Sequence, residues 1–217
     1  MLKIYGADLS APANKVRMAA NALDLDYEYI RVNIREGKNR TEQFLKLHPA
    51  GKIPVIDDNG FILFESGSII KYLASSEASG LYPENLKQRA RIDQWIDFTT
   101  IHVGGAIGRV LFNRVFASFA KVPPDERSLE DGIKFLNKFL PVIDKQLGKS
   151  KHLAGEEVSL ADITLLATID PAEAAGVDIS RYEHLGQWRT KLKKKDFYTR
   201  CHASYDEALK RMMLGVG

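Results

Sequence analysis

The chain has 217 residues, 45% of them hydrophobic and 27% charged, with a formal net charge of +3. That length suits two compact domains whose cores need no covalent staples. The single cysteine, Cys201, excludes an intrachain disulfide framework, and no apolar run approaches the ~20 residues that span a bilayer. The opening Met1-Leu2-Lys3-Ile4-Tyr5 lacks the charged-then-apolar build of a signal peptide, so a cytoplasmic location and no membrane partner are expected. The one dense basic run, Lys191 to Lys195 broken at Leu192, reads as a solvated helix end. No aromatic platform accompanies it, so no nucleic-acid partner is expected.

Leu2 to Tyr5 reads as a short strand. Pro12 suits the first turn of a helix, in which Val16, Ala19, Ala20 and Leu23 recur at helical spacing. Tyr27 to Val32 is rich in β-formers and reads as a second strand. Thr41 can cap a helix carrying Phe44, Leu45 and Leu47, which Pro49, Gly51 and Pro54 then break. Val55 to Asp57 and Phe61 to Phe64 are two strands joined through Asp58-Asn59-Gly60, a hairpin signal because Asn and Gly tolerate positive φ. A helix with Ile69, Ile70 and Leu73 follows. The order β-α-β-α-β-β-α, parallel at its start and antiparallel at its end, is that of a thioredoxin-like domain. Around Ser75 to Leu86 the texture changes to Ser, Glu, Gly, Pro and Asn. Beyond it only helical patterns remain: Leu86 to Phe116, Leu129 to Leu147, Leu160 to Ile169, Tyr182 to Leu192 and Ser204 to Met213. The expected fold is an α+β thioredoxin-like domain over residues 1–76, a linker over 77–86 and an all-α helical bundle over 87–217.

Three places in the first domain can carry chemistry. Ile53-Pro54-Val55 offers a candidate cis bond that would turn the Ile53 amide and carbonyl outward to pair with an extended peptide. Taken alone, an ordinary trans proline at a strand start serves as well. Glu65-Ser66 sits where a strand gives way to a helix, so unpaired amides and the helix dipole favour an anion. Ser66 adds a hydroxyl there and Glu65 can hold an ammonium, although a simple helix cap also fits. Ser10 lies between the first strand and first helix. Pro12 at the first helical position would make Ala11 the cap and leave the Ser10 hydroxyl free.

Together, Tyr5-Gly6 with Ser10, Gly51-Lys52-Ile53-Pro54-Val55 and Phe64-Glu65-Ser66-Gly67-Ser68-Ile69 resemble the glutathione-binding domain of soluble glutathione transferases. Gly67 and Ser68 stand where that family has a variable residue and alanine. The linker Leu81-Tyr82-Pro83 and the segment Gly155 to Ile163 are similar to the family's as well. In that segment Ser159 and Asp162 form a capping box with a folding role. Tyr182-x-x-Leu185-x-x-Trp188 fits too, while Lys195-Asp196 replaces a frequent arginine-proline.

The resemblance implies a serine-type enzyme, akin to phi, theta, delta and related bacterial members. Glutathione is its co-substrate, a small electrophile its partner, no metal takes part, and the protein is a homodimer. It assigns Ser10 to the thiolate, and Lys52, Arg40 and Asn39 to the glycyl end, with Lys38 as a rival. Ile53 would pair with the cysteinyl unit, and Glu65 and Ser66 with the γ-glutamyl end. Tyr5 is the alternative hydroxyl, as in tyrosine-type members, but the arginine-glycine that usually follows is absent. Cys201 reads as core. A non-catalytic binding protein of the same fold, or a glutathione-dependent reductase of peroxides or disulfides, are the competing functions. In the second domain His102, Gly105, Arg109 and Phe112 recur at spacings of three or four. If that face looks toward Ser10, it forms the electrophile pocket. Close helix packing is the other explanation for Gly104, Gly105 and Gly108.

Overall fold

The computed structural model of the protein describes residues 1–202 and 204–214. In chain order it has β1 (Leu2–Gly6), α1 (Ala11–Ala22), β2 (Tyr27–Arg31), a 3-10 turn (Lys38–Arg40), α2 (Glu42–Leu47), β3 (Val55–Asp58), β4 (Phe61–Phe64) and α3 (Ser66–Ser76). A helical rod follows as α4 (Leu86–Asp97), a π-helical stretch (Phe98–Gly104), α5 (Gly105–Leu111), a second π stretch (Phe112–Phe116) and α6 (Ala117–Phe119). The chain then forms α7 (Glu126–Leu147), α8 (Leu160–Ile169), a 3-10 turn (Asp170–Ala172), α9 (Glu183–Leu192), α10 (Asp196–Thr199) and α11 (Tyr205–Met213).

The sheet order is β2-β1-β3-β4. β1 and β2 are parallel, from Leu2↔Tyr27 to Gly6↔Arg31, as a crossover through α1 demands. β3 and β4 close a two-residue hairpin in which Asn59 (φ 51°) and Gly60 (φ 96°) both take positive φ, the turn geometry that matches strand twist. Thr41 caps α2, its hydroxyl accepting from the Phe44 amide at 3.3 Å.

α1 departs from the expected single apolar stripe. Every residue from Ala13 to Asn21 is buried, because α1 packs on the sheet, α3, α8 and α10 at once. Four of those residues are polar: Asn14, Lys15, Arg17 and Asn21. A buried polar group is costly unless bonded, and three of the four are bonded within the chain. Asn14 Nδ2 donates to the Asp8 carbonyl at 2.7 Å, and Arg17 donates to the Cys201 carbonyl at 2.9 Å. Asn21 donates to the Phe197 carbonyl at 3.1 Å.

α8 is the central helix of the second domain and begins with the Ser159–Asp162 capping box. Asp162 is fully buried and also accepts from the Leu153 amide and the Trp188 indole, each at 3.1 Å. This one carboxylate thereby joins α8, the preceding loop and α9. The linker docks on α8 through the Leu160 amide and Leu81 carbonyl, 3.0 Å apart. Lys71 on α3 pairs with Asp93 on α4 at 2.8 Å.

Candidate functional site

Strand register gathers the three motifs. Tyr5 pairs with Val55, and Val55 pairs with Phe64. The loop after β1, the residues before β3 and the residues after β4 therefore lie at one edge of the sheet. β2 runs parallel to β1, so the segment carrying Asn39 and Arg40 leaves from the same edge.

Ser10, not Ala11, is the N-cap of α1, with φ −88° and ψ 105° and with its Oγ accepting from the Ala13 amide at 3.3 Å. The reason is that Pro12 occupies the second helical position instead of the first, so the helix starts one residue earlier than the proline alone suggests. The cap uses a lone pair of Oγ. It leaves the hydroxyl proton to donate to a ligand at the helix N-terminus. Tyr5 points to the opposite sheet face from the buried Leu2, Ile4 and Gly6. Its ring packs edge-on against Phe44 at 6.3 Å, in the small cluster that also holds Ile53.

The Ile53-Pro54 bond is cis. Among the described residues, the Ile53 amide and carbonyl take no partner in the loop hydrogen bonds, so both are open to a peptide. The turn before them is tightly built. The Gly51 amide donates to the His48 carbonyl at 2.8 Å, and His48 Nδ1 accepts from the Ala50 amide at 3.1 Å. Gly51 takes φ +60°, and a Cβ there would lie 2.5 Å from the Asn39 carbonyl; only glycine meets both conditions. Asn39 is buried and donates to the Gly51 carbonyl at 2.7 Å. With this bond its amide braces the turn. Arg40 and Lys52 are exposed, and Arg40 reaches the Ala50 carbonyl at 3.4 Å. His48 escaped the sequence reading because a histidine before a proline carries no spacing signal.

Glu65 precedes α3 with φ 69°, ψ 108° and makes no side-chain cap. Such a φ is strained for a non-glycine residue, and strain of this kind gathers at functional sites. The amides of Ser66, Gly67 and Ser68 precede the first intrahelical bond, from Ile69 to Glu65. A Cβ on Gly67 would meet nothing within 4 Å, so the helix end is open. Lys15 lies nearby on α1. It is 5% exposed, and burial pulls its ammonium down to about 8, with Glu65 opposing that pull and Lys71 adding to it. Cys201 is no thiolate: burial pushes it up to about 12, and Asn21 Nδ2 donates to its sulfur at 3.3 Å.

The His102 face of the rod does not meet the expectation. His102 packs against Phe98 at 5.2 Å and Phe139 of α7 at 4.9 Å. Arg109 reaches Ser128 of α7 at 3.3 Å. These two side chains are turned to α7, while α1, which follows Ser10, packs on α8 and α3. The spacing does bring His102 and Arg109 to one face, but that face meets α7; π stretches with i→i+5 bonding flank α5 on both sides. Gly105 is exposed with open space around it, and Phe112 is half-exposed. The rod instead meets the sheet's edge at its far end, where the Arg35 guanidinium lies 5.5 Å from the ring of Phe119 and Phe116 lies 6.4 Å from Phe119.

Among the described residues no group of His, Cys, Asp and Glu is arranged to hold a metal, and no helix is long and apolar enough to cross a membrane. Two family models match: glutathione S-transferase N-terminal domain over residues 4–80 and glutathione S-transferase C-terminal domain over residues 110–196. The chain is 28% identical over 212 residues to glutathione S-transferase F10 of Arabidopsis thaliana, covering 94% of this chain and 98% of that one. A delta-class glutathione transferase of Nilaparvata lugens is 30% identical over the whole of both chains, with a TM-score of 0.86. Glutathione S-transferase I from maize, solved with an atrazine glutathione conjugate, is 27% identical with a TM-score of 0.85, covering 92% of this chain and 95% of that one. The two models together match most of the chain, the four-stranded sheet domain and the all-helical domain fall where they place them, and the chain belongs to the glutathione S-transferase family.

Proposed function

We propose that this transferase is serine-type: the Ser10 hydroxyl donates to the glutathione sulfur and holds it as the thiolate that attacks a small electrophile. The observation that carries this reading is the Ser10 cap, which spends a lone pair on Ala13 and keeps the proton free beside a helix N-terminus. A free thiol of pKa ~8.5 is only a few per cent ionised at neutral pH. Lowering it by about two units takes about 2.7 kcal/mol of preference for the thiolate. One hydrogen bond to a charged sulfur contributes about 1.5–3 kcal/mol, and the helix dipole about 0.3–1 kcal/mol. Both are available at Ser10, so no buried base is required. Packing of Tyr5 against Phe44 speaks against the tyrosine alternative.

The remaining contacts follow the same edge. Ile53 offers its amide and carbonyl to the cysteinyl unit. Ser66 and the α3 amides take the γ-glutamyl carboxylate, and Glu65 the ammonium beside it. Lys52 and Arg40 take the glycyl carboxylate, while Asn39 acts on them through Gly51. Phe112, Phe116 and Phe119 supply the apolar wall for the electrophile, a reading supported by the Arg35–Phe119 contact at the sheet's edge. Phe116→Ala should raise the Michaelis constant for bulky electrophiles only; an equal rise for glutathione counts against that wall. Phe61 and Phe64, exposed on edge strand β4, support a homodimer, and light scattering at the monomer mass of 24.3 kDa would refute it. The proposed location is the cytoplasm.

The test is conjugation of an aryl halide by the parent and Ser10→Ala. Turnover at neutral pH should fall by up to about a hundredfold, the equivalent of about 2.7 kcal/mol, with glutathione affinity little changed. Glutathione binding without turnover in the parent, across a panel of electrophiles, would favour the non-catalytic binding protein instead.

A further inference from the structure

Tyr205 stands at the start of α11, 196 residues from Leu9, and is buried. Its hydroxyl donates to the Leu9 carbonyl at 3.1 Å. The Leu9 carbonyl and the Ser10 amide belong to one peptide unit, which is planar. The other end of that unit is also held, because the Ser10 amide donates to the Ala7 carbonyl at 2.9 Å. With both polar ends pinned, the plane cannot swing, and the Cα of Ser10 has one position. The Ala13 amide then holds Oγ from the helix side at 3.3 Å. One residue earlier, Asn14 donates to the Asp8 carbonyl at 2.7 Å. Three consecutive carbonyls of the loop, those of Ala7, Asp8 and Leu9, are therefore bonded away from the ligand.

The contact is anchored from behind. Tyr198 on α10 donates to the buried carboxylate of Asp170 at 2.7 Å, and His202 Nε2 lies 2.8 Å from its other oxygen. Arg17 and Asn21 on α1 hold the Cys201 and Phe197 carbonyls. The segment carrying Tyr205 is thus docked on the second domain and on the helix that Ser10 caps. Burial raises the Tyr205 phenol above its ordinary value, so the hydroxyl keeps its proton and remains a donor.

We infer that Tyr205 is a positioning residue for the thiolate: a hydroxyl from the C-terminal helix sets the peptide plane that aims Ser10 Oγ at the glutathione sulfur. This rests on the Ser10 reading above. The test is a spectroscopic titration of the bound glutathione thiolate in the parent, Tyr205→Phe, Tyr198→Phe and Ser10→Ala. Tyr205→Phe keeps the ring and removes one neutral hydrogen bond, so the midpoint should rise by about half a unit and turnover at neutral pH should fall about threefold. Glutathione affinity should stay near the parent's. Tyr198→Phe loses a bond of the same segment that does not touch Leu9, and should lower thermal stability without moving the midpoint. An unmoved midpoint in Tyr205→Phe, with Ser10→Ala shifted, overturns this inference and leaves the Ser10 reading intact. Equal shifts in the two tyrosine variants overturn it too, since docking of the segment would then suffice. An unmoved midpoint in Ser10→Ala removes the Ser10 reading itself.

Discussion

Lys15 and Arg17 are two residues apart on α1, are 5% and 7% exposed, and meet opposite surroundings. Residues at that spacing do not share a helix face. Arg17 looks toward the C-terminal segment. It donates to the Cys201 carbonyl and to Asn14 Oδ1, lies 3.7 Å from Asp8, and stacks 4.2 Å over the ring of Tyr29. Lys15 looks toward α3, beside Glu65 and Lys71, and among the described residues its ammonium forms no ion pair or hydrogen bond. Lys71 is already committed to Asp93. Burial alone therefore does not reveal what a charge is for. The bonded cation is a brace between domains. The other, with no protein partner among the described residues, stands next to the proposed γ-glutamyl site.

The sharpest way to break this comparison is to remove each charge in turn, because the two effects should have opposite signs. Arg17→Met leaves the Cys201 carbonyl and Asn14 Oδ1 without their donor, and should cost about 3 kcal/mol of stability. For a chain of this size that is a fall of roughly 10 °C in Tm by thermal denaturation. An unchanged Tm would mean that the segment is not held through Arg17.

Lys15→Met should stabilise. The drop from 10.5 to about 8 corresponds to about 3 kcal/mol against the folded state, an upper bound on the gain. A base held below its unfolded value binds fewer protons when folded. Stability of the parent should therefore rise with pH between about 8 and 10.5, and the penalty is fully present below 8. The gain from Lys15→Met should accordingly be largest at pH 7 and shrink toward pH 10. Denaturant unfolding at both pH values checks this, and a loss of stability at pH 7 would show that Lys15 has a partner supplied by the fold.

The same contrast explains how much could be read from the residues. The hairpin at Asn59-Gly60, the cap at Thr41 and the capping box at Ser159 and Asp162 were legible; the edge motifs at Ile53-Pro54 and Glu65-Ser66 were legible only as a set, since each alone left a second reading open. Each is local, and its residue types answer a demand of the backbone within a few positions. Four features were not, and one of them was local: Ala11 reads as the cap of α1, while Ser10 takes that place. The burial of Asn14, Lys15, Arg17 and Asn21 depends on α8 and α10, well over a hundred residues on, so a stripe drawn on α1 alone missed it. The shared face of His102 and Arg109 was readable, but not that it meets α7 instead of the Ser10 side. The sequence points to Asn39 as a ligand contact but not to its bond with Gly51. For α1 and Asn39 the missing information was a partner elsewhere in the chain, and for the rod it was what its face meets.

The central claim is that Ser10 makes glutathione a thiolate. The most direct measurement is the ultraviolet titration of the thiolate in the binary complex of the parent and of Ser10→Ala, with no electrophile present. The account predicts a midpoint in the parent about two units below the free thiol's ~8.5, returning most of the way in the variant. Identical midpoints in the two proteins would contradict it.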